Sequence, residues 1–267
     1  MVRYKLVPFK KTTTELIAFS IVMMLSLNNI ALAESALNKI LSSGVLKAGT
    51  TGDFPPFSKR DTATNEYEGF DIDVLKELAK DMDVEIEFVP TDWKTLVNGI
   101  VAGGYYISGS ASIQAKRMKA AGYSDTYMAV VIKAFTTEEK ASRFDGWDSI
   151  NKSGVKTATT LGTTFEKLSK DWFPNSDLTL IEAPARGYQE VLAGRSDVFI
   201  TSNVEGSTLL SKYPNIREIP VDEPRNPTPL AMLLPQADQV WINYVDHWIK
   251  IKKTRGFFKT LAKKYGL

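Results

Sequence analysis

The chain has 267 residues, a formal net charge of +2, no cysteine and a single histidine, His247. The lack of cysteine excludes disulfide, zinc-thiolate and thiol chemistry, and one histidine excludes both a histidine-rich metal site and a Ser-His-Asp triad built on any other histidine. The nearly neutral charge leaves no basic surface for a phosphate backbone, so we expect no nucleic-acid partner. We also expect no metal and no cofactor.

Residues 1–33 have the pattern of a secretory signal. Four basic residues precede an apolar run over 16–27, and Ala31-Leu32-Ala33 follows it. We expect export to the periplasm and cleavage after about Ala33. The alternative, a retained membrane anchor, is disfavoured because the apolar run is short for a span. Cleavage would remove four basic residues and one acid, and so change the formal charge from +2 to −1.

The next segment reads as alternating strands and helices of an α/β domain. Alternating apolar residues predict strands over 45–51 and 84–88, and helical spacing predicts helices over 36–41 and 74–82. The remaining length suits two lobes of about 100 residues each. A loop rich in Gly and Pro follows the first strand, and open α/β sheets bind ligands at the carboxyl ends of their strands.

Residues 108–117, which we call the anion seat, hold the strongest ligand signal in this half. Their small residues let a ligand approach the backbone, Ser112 is placed to cap a helix that begins at Ile113, and Arg117 offers a fork of donors for a carboxylate. The alternative is an exposed helix arginine beside ordinary loop serines.

The second half repeats the strand and helix alternation. Strands are predicted over 128–136, 155–160, 178–181 and 196–201, an irregular crossover over 221–229, a strand over 230–234, and helices over 240–251 and 257–265. Thr163 and Glu166 have capping-box spacing, which predicts a helix from Thr164 and a second helix end that suits an anion. Ser202 and Glu205 have the same spacing, so Glu205 is either a cap partner or a functional acid.

Four motifs in this order resemble the periplasmic polar amino-acid-binding proteins of ABC importers. They are GTTGDFPPF at 49–57, GFDID at 69–73, SASIQAKR at 110–117 and YSDTY at 123–127. Four further segments resemble the branch of that family that contains cyclohexadienyl dehydratase. They are TGD at 51–53, TDW at 91–93, LLP at 233–235 and YVDHW at 244–248.

The resemblance implies a two-lobed type II periplasmic-binding-protein fold, a clamshell in which each lobe is a sheet flanked by helices. We expect one lobe to contain 34–127 plus 228–267 and the other 128–227. The resemblance also implies a set of ligand-binding residues. They are Phe54, Trp93, Ser110, Ser112, Arg117, Thr163, Thr164 and Ser202. Taken by itself, either aromatic residue could equally belong to the core.

Two positions depart from the patterns of the family. Ser202 stands where the amino-acid binders have an aspartate that holds the ligand ammonium. The dehydratase pattern matches Glu205 as general acid and requires a lysine on the crossing strand, where either Ile132 or Lys133 falls, depending on one insertion.

We therefore expect a periplasmic solute-binding protein that captures a small anionic or zwitterionic molecule and works with an ABC importer permease. A carboxylate or sulfonate without an α-amino group, or a quaternary ammonium held by aromatic faces, suits the serine at Ser202. The alternative is a prephenate or arogenate dehydratase, a carbon-oxygen lyase, with Glu205 as the acid and Lys133 or Arg117 holding substrate carboxylates.

Overall fold

The computed structural model of the protein describes residues 34–183, 185–221 and 225–267. The predicted signal segment, residues 1–33, lies outside the described residues. From Ser35 to Leu267 the chain forms one compact unit. Among the helices in these ranges, none combines the length and the apolar character needed to cross a membrane.

The first half of this unit alternates strands and short helices, as predicted. Its elements are α1 (Ala36–Ser43), β1 (Val45–Thr50), β2 (Asp53–Phe54), β3 (Ser58–Arg60), β4 (Tyr67–Glu68), α2 (Phe70–Asp81), β5 (Glu85–Pro90), α3 (Leu96–Val101), β6 (Ser108–Ser112), α4 (Ala115–Met118) and β7 (Ala121–Tyr123). Helix α1 begins where Ser35 Oγ accepts a hydrogen bond from Leu37 N, and it ends at Gly44, whose φ of 70° favours glycine.

The second half contains the two longest strands and the two carboxyl-terminal helices. Its elements are β8 (Met128–Thr137), a 3-10 helix (Glu138–Arg143), α5 (Trp147–Ile150), β9 (Lys156–Thr160), α6 (Thr164–Trp172), β10 (Asp177–Ile181), α7 (Gly187–Leu192), β11 (Val198–Ser202), α8 (Asn203–Lys212), β12 (Ile216–Glu218), β13 (Arg225–Pro235), α9 (Gln239–Thr254) and α10 (Phe257–Lys264). The prediction of an irregular crossover over 221–229 is wrong for most of its length. Strand β13 already begins at Arg225, and a register shift against β8 between Arg225 and Thr228 accommodates the proline-rich sequence.

The sheets place β8 and β13 at the centre of the molecule. The largest sheet has the order β10-β9-β11-β8-β13-β6, with β12 paired to β8 and β7 paired to β13. Strands β1 and β5 form a parallel pair, and β2, β3 and β4 form a small antiparallel sheet. The long strands β8 and β13 are antiparallel neighbours, so they carry the chain from one end of the molecule to the other and back.

Buried apolar side chains form two main clusters at the two ends of these long strands. One cluster joins residues from the first half, such as Leu46 and Phe70, to Trp241 of α9. The other contains Trp147 and Phe173 from the middle of the chain. The predicted α/β architecture is therefore confirmed, and the carboxyl-terminal helices pack against the first part of the chain.

Candidate functional site

A central cavity of about 410 Å³, continuous with solvent, opens between the two halves of the fold. Strand ends and helix starts supply most of its walls: Ser112 ends β6, Thr160 ends β9, and Glu205 lies in the first turn of α8. The lining residues are Asp53, Phe54, Trp93, Ser112, Arg117, Val130, Thr160, Thr163, Thr164, Phe165, Arg186 and Glu205. The cavity thus combines apolar walls with two arginines and two carboxylates.

Arg117 is a buried cation on this cavity, with 7% of its surface exposed. Its Nη1 lies 3.4 Å from the carbonyl oxygen of Ser112 and its Nη2 lies 3.3 Å from that of Gly162. Burial lowers the pKa of the guanidinium, although Tyr123 acts in the opposite direction. Among the described residues, no carboxylate forms an ion pair with Arg117. In the described structure this buried guanidinium meets neutral partners, two carbonyl oxygens at long distance and the side chain of Tyr123, and it can therefore bind an anion.

The helix that carries Arg117 begins later than predicted. Helix α4 starts at Ala115 with Gln114 as its N-cap residue, and no side chain caps it. The prediction that Ser112 caps a helix from Ile113 is therefore wrong, because 108–112 continue as strand β6, paired with β13. Ser112 itself lines the cavity, and its carbonyl accepts a hydrogen bond from Tyr123 Oη at 2.9 Å.

Ser110 lines a second, smaller cavity and is not among the residues that line the central one. Its φ of 44° is unusual for a residue other than glycine, and its backbone N–H donates to Tyr127 Oη. Tyr127 Oη in turn donates to Asp71 Oδ1 at 2.7 Å. Gly109 leaves room for this carboxylate, because a Cβ there would lie 2.7 Å from Asp71 Cγ. These contacts fix strand β6, which carries the anion seat, to Tyr127 and Asp71.

Asp71 makes this network sensitive to pH. Burial raises the pKa of Asp71 to about 7, although hydrogen bonds from Ser110 and Tyr127 act to lower it. Between about pH 4 and about pH 7 the carboxyl of Asp71 therefore keeps its proton in the native state and loses it in the unfolded state. Its contribution to the free energy of unfolding decreases as the pH rises through this range. We expect the free energy of unfolding of the wild type, relative to that of Asp71→Asn, to fall by a few kcal/mol across this pH range, as measured by urea unfolding.

Asp73, on the same helix, provides the control. Partial burial acts to raise its pKa, but hydrogen bonds from Lys264 and Tyr265 outweigh burial and lower it. The contribution of Asp73 to stability is lost as the pH falls. The free energy of unfolding of the wild type, relative to that of Asp73→Asn, should therefore rise with pH. If these two differences in the free energy of unfolding changed with pH in the same direction, the pH dependence could not be assigned to Asp71.

Thr163 and Thr164 both line the central cavity, and the helix begins at Thr164 as predicted, but the capping box predicted for Thr163 and Glu166 is absent. Thr163 Oγ1 donates to the carbonyl oxygen of Thr160 at 2.6 Å, and Glu166 Oε2 accepts from Gly162 N at 2.7 Å. The tight turn at Gly162, with a φ of 79°, brings that N–H to the carboxylate. Thr164 Oγ1 accepts a hydrogen bond from Gln114 Nε2, which joins the loop before α4 to the start of α6.

Phe54 and Trp93 form an aromatic wall of the central cavity. Their ring centroids are 5.9 Å apart with an angle of 82° between planes, an edge-to-face contact. Trp93 lies in a turn before α3, and its Nε1 donates to Asp53 Oδ1 at 2.8 Å. The indole therefore also fixes the carboxylate of Asp53.

Arg186 is a cavity residue that the sequence analysis missed. Its side chain is 12% exposed, forms an ion pair with Glu205, and places Nη1 2.9 Å from Asp53 Oδ2. These last two atoms are buried and their geometry is not that of a hydrogen bond. Burial lowers the pKa of Arg186, but Glu205 and Asp53 outweigh burial and raise it. The available signal was its position, after β10 and directly before α7, where an α/β sheet binds ligands.

Ser202 caps α8, but Glu205 does not complete a capping box with it. Ser202 Oγ accepts from Glu205 N at 3.1 Å, as predicted, but Ser202 is fully buried and is not among the residues that line the cavity. The Glu205 carboxylate does not bond back to the helix start. It is 2% exposed and lies between Arg186 and the hydroxyl of Thr201, which donates to Oε2. Glu205 is therefore a buried cavity carboxylate.

Lys133, the predicted catalytic lysine, is not a cavity-lining residue. Its Nζ lies 2.6 Å from Glu218 Oε1, and the neighbouring Ile132 belongs to the second apolar cluster. The residue of β8 that lines the cavity is Val130. The expectation that Lys133 or Ile132 faces the ligand is corrected by this register. In the described residues, no group of three or more His, Cys, Asp or Glu side chains could hold a metal ion.

The chain is similar in sequence to known proteins. Residues 46–267 match the family described as bacterial extracellular solute-binding proteins, family 3. The chain is 28% identical to the cyclohexadienyl dehydratase of Pseudomonas aeruginosa, over 91% of this chain and 90% of that protein. It is 24% identical to the L-cystine-binding protein TcyJ of Escherichia coli, over 67% of this chain and 66% of that protein.

A solved structure extends the likeness to three dimensions. The ancestral amino acid-binding protein AncCDT-1, a precursor of cyclohexadienyl dehydratase, is 31% identical with a TM-score of 0.81, and the match covers 86% of this chain and 99% of that one. The predicted two-lobed type II periplasmic-binding-protein fold is thereby confirmed. Because the family match extends over most of its length, the chain belongs to the bacterial extracellular solute-binding proteins, family 3.

Proposed function

We propose that this family 3 protein captures a small molecule bearing a carboxylate or sulfonate, whose acidic group pairs with Arg117. The observation that carries the proposal is the buried guanidinium on the central cavity, which forms no ion pair with any carboxylate of the described residues. A planar guanidinium presents two parallel donors to either anion, and burial strengthens the attraction.

The capture step is closure of two lobes, formed by 34–127 plus 228–267 and by 128–227. Side chains from both segments line the cavity, and polar contacts link the segments across it. They are Arg186 to Asp53, Lys94 to Glu182, Gln114 to Thr164, and Arg117 to the carbonyl of Gly162. Export through cleavage of residues 1–33 and delivery to an ABC importer permease complete the proposed function.

Thermal unfolding in the presence of small carboxylates and sulfonates tests this proposal. A ligand at a hundred times its dissociation constant adds about 2.7 kcal/mol to the free energy of unfolding. We expect at least one acid to raise the melting temperature of the wild type but not that of Arg117→Met. The proposal fails if no acid does so, or if the rise is the same in the variant.

A dehydratase activity is the second candidate, favoured by the likeness to cyclohexadienyl dehydratase and by the buried cavity carboxylate of Glu205. A general acid must be free to donate to the substrate, but both carboxylate oxygens of Glu205 are already engaged, Oε1 by Arg186 and Oε2 by the hydroxyl of Thr201. The ion pair between Arg186 and Glu205 therefore opposes this role. We expect purified protein to form no phenylpyruvate from prephenate. Turnover that disappears in Glu205→Gln would establish the enzyme instead.

A further inference from the structure

The two carboxylates of the central cavity are already paired with a cation that belongs to the chain. The Arg186 guanidinium forms an ion pair with Glu205 and lies 2.9 Å from Asp53 Oδ2. Glu205 and Asp53 are both buried as side chains, at 3% and 9% exposure. Among the described residues that line the cavity, Asp53 and Glu205 are the acidic ones, and both are occupied.

A ligand ammonium at this end of the cavity would have to compete with Arg186. It would be attracted by Asp53 and Glu205 but repelled by the guanidinium between them, and the tethered cation is present at a high effective concentration. A neutral polar group meets no such repulsion. The charge arrangement thus selects against a cationic substituent on the ligand.

The same pair of side chains retains hydrogen-bonding capacity. Asp53 Oδ2 and Arg186 Nη1 are buried atoms 2.9 Å apart, and neither forms a hydrogen bond within the part of the chain that the structure describes. A hydroxyl group both donates and accepts, so one hydroxyl can donate to Asp53 Oδ2 and accept from Arg186 Nη1 as the lobes close. Neither an aliphatic substituent nor an ammonium satisfies both atoms.

We infer that the ligand is a hydroxy acid with an apolar body, and that Arg186 is the residue that excludes the corresponding amino acid. This inference rests on the proposed function, since the acid group still pairs with Arg117. The apolar body packs against Phe54, Trp93, Val130 and Phe165, which line the same cavity. The hydroxyl lies at Asp53 and Arg186.

Two matched series of compounds test the inference on the wild-type protein by calorimetry. The first is phenyllactate, hydrocinnamate and phenylalanine, and the second is leucic acid, isocaproate and leucine. In at least one series the hydroxy acid should bind about tenfold or more tighter than the amino acid, and tighter than the plain acid. The inference is overturned if in neither series the hydroxy acid binds more tightly than both its amino acid and its plain acid, or if none of the six compounds binds.

Variants of Arg186 give an independent readout. Arg186→Met should shift the preference toward the amino acid by about tenfold or more, because its ammonium can then replace the lost cation. Arg186→Lys keeps the cation and should keep the preference for the hydroxy acid, as should the exposed control Arg195→Met. An unchanged preference in a folded Arg186→Met protein overturns the inference.

The two proposals fail in different ways. If amino acids bind most tightly and Arg117→Met abolishes that binding, the proposed function stands and the role of Arg186 falls. If binding is independent of Arg117, the proposed function itself fails.

Discussion

Replacement of Arg117 by methionine is expected to raise the free energy of unfolding of the unliganded protein by about 1 kcal/mol while removing most of its affinity for acids. The guanidinium is buried, its pKa is lowered by burial, and its contacts to the carbonyls of Ser112 and Gly162 are long. Methionine has a similar length and no charge, so it avoids the desolvation of an uncompensated cation.

Affinity changes in the opposite direction, because the same cation becomes compensated when an acid binds. Loss of one partner of a buried charge pair weakens binding by about 2 to 5 kcal/mol, which is about 30-fold or more. Arg117→Lys should give an intermediate loss, because an ammonium cannot form two parallel bonds to a carboxylate. Urea unfolding measures the first effect, and calorimetry with whichever acid stabilises the wild type measures the second.

Lys116→Met is the matched control for Arg117→Met. Lys116 is the neighbouring residue on α4, loses the same charge, and is exposed, so both stability and affinity should change little. If Arg117→Met were strongly destabilising in the absence of ligand, the guanidinium would be a structural group, and its assignment as an anion-binding group would lose its physical basis.

Arg186→Met is expected to lower the free energy of unfolding by about 3 to 5 kcal/mol. The substitution leaves Glu205, which is 2% exposed, and Asp53 without the guanidinium that faces them. An uncompensated buried carboxylate must either stay charged in an apolar environment or take up a proton, and both are unfavourable at neutral pH. Urea unfolding at neutral pH measures the loss.

A double variant separates the charge effect from a packing effect. Arg186→Met with Glu205→Gln removes the Arg186–Glu205 ion pair as a unit, so the part of the lost stability that comes from Glu205 should return, because a neutral amide replaces that unpaired charge while Asp53 keeps its own. The exposed pair of Arg195 and Glu190 is the control, and Arg195→Met should leave stability nearly unchanged. Equal losses in the single and the double variant would contradict the charge explanation.

Much of the fold could be predicted because it depends on local periodicity. The alternating residues of 45–51 and the helical spacing of 74–82 predict β1 and α2, since each pattern buries one face of one element. The ends of the helices and strands were harder to predict. The anion seat continues as strand to Ser112 because β13 pairs with it, and no local signal shows a pairing between residues more than 100 positions apart.

The candidate site was predictable where several of its residues lie close together in the sequence. The small residues and Arg117 of the anion seat lie within one ten-residue stretch, and the structure brings Arg117 to the cavity with Phe54, Trp93, Thr163 and Thr164. Lys133 does not line the cavity, whereas Val130 of the same strand does. Because side chains alternate along a strand, Lys133, three positions further on, lies on the opposite face from Val130.

The sequence by itself determined the alternation of strands and helices, the position of the anion seat and the resemblance to a solute-binding family, because short segments encode these features. Only the tertiary structure decided the charge balance of the cavity. Arg186, Asp53 and Glu205 are far apart in the chain, and their ion pairs exist because three different strand and helix ends meet at one place. Coulomb attraction between groups that only folding brings together leaves no local pattern in the sequence.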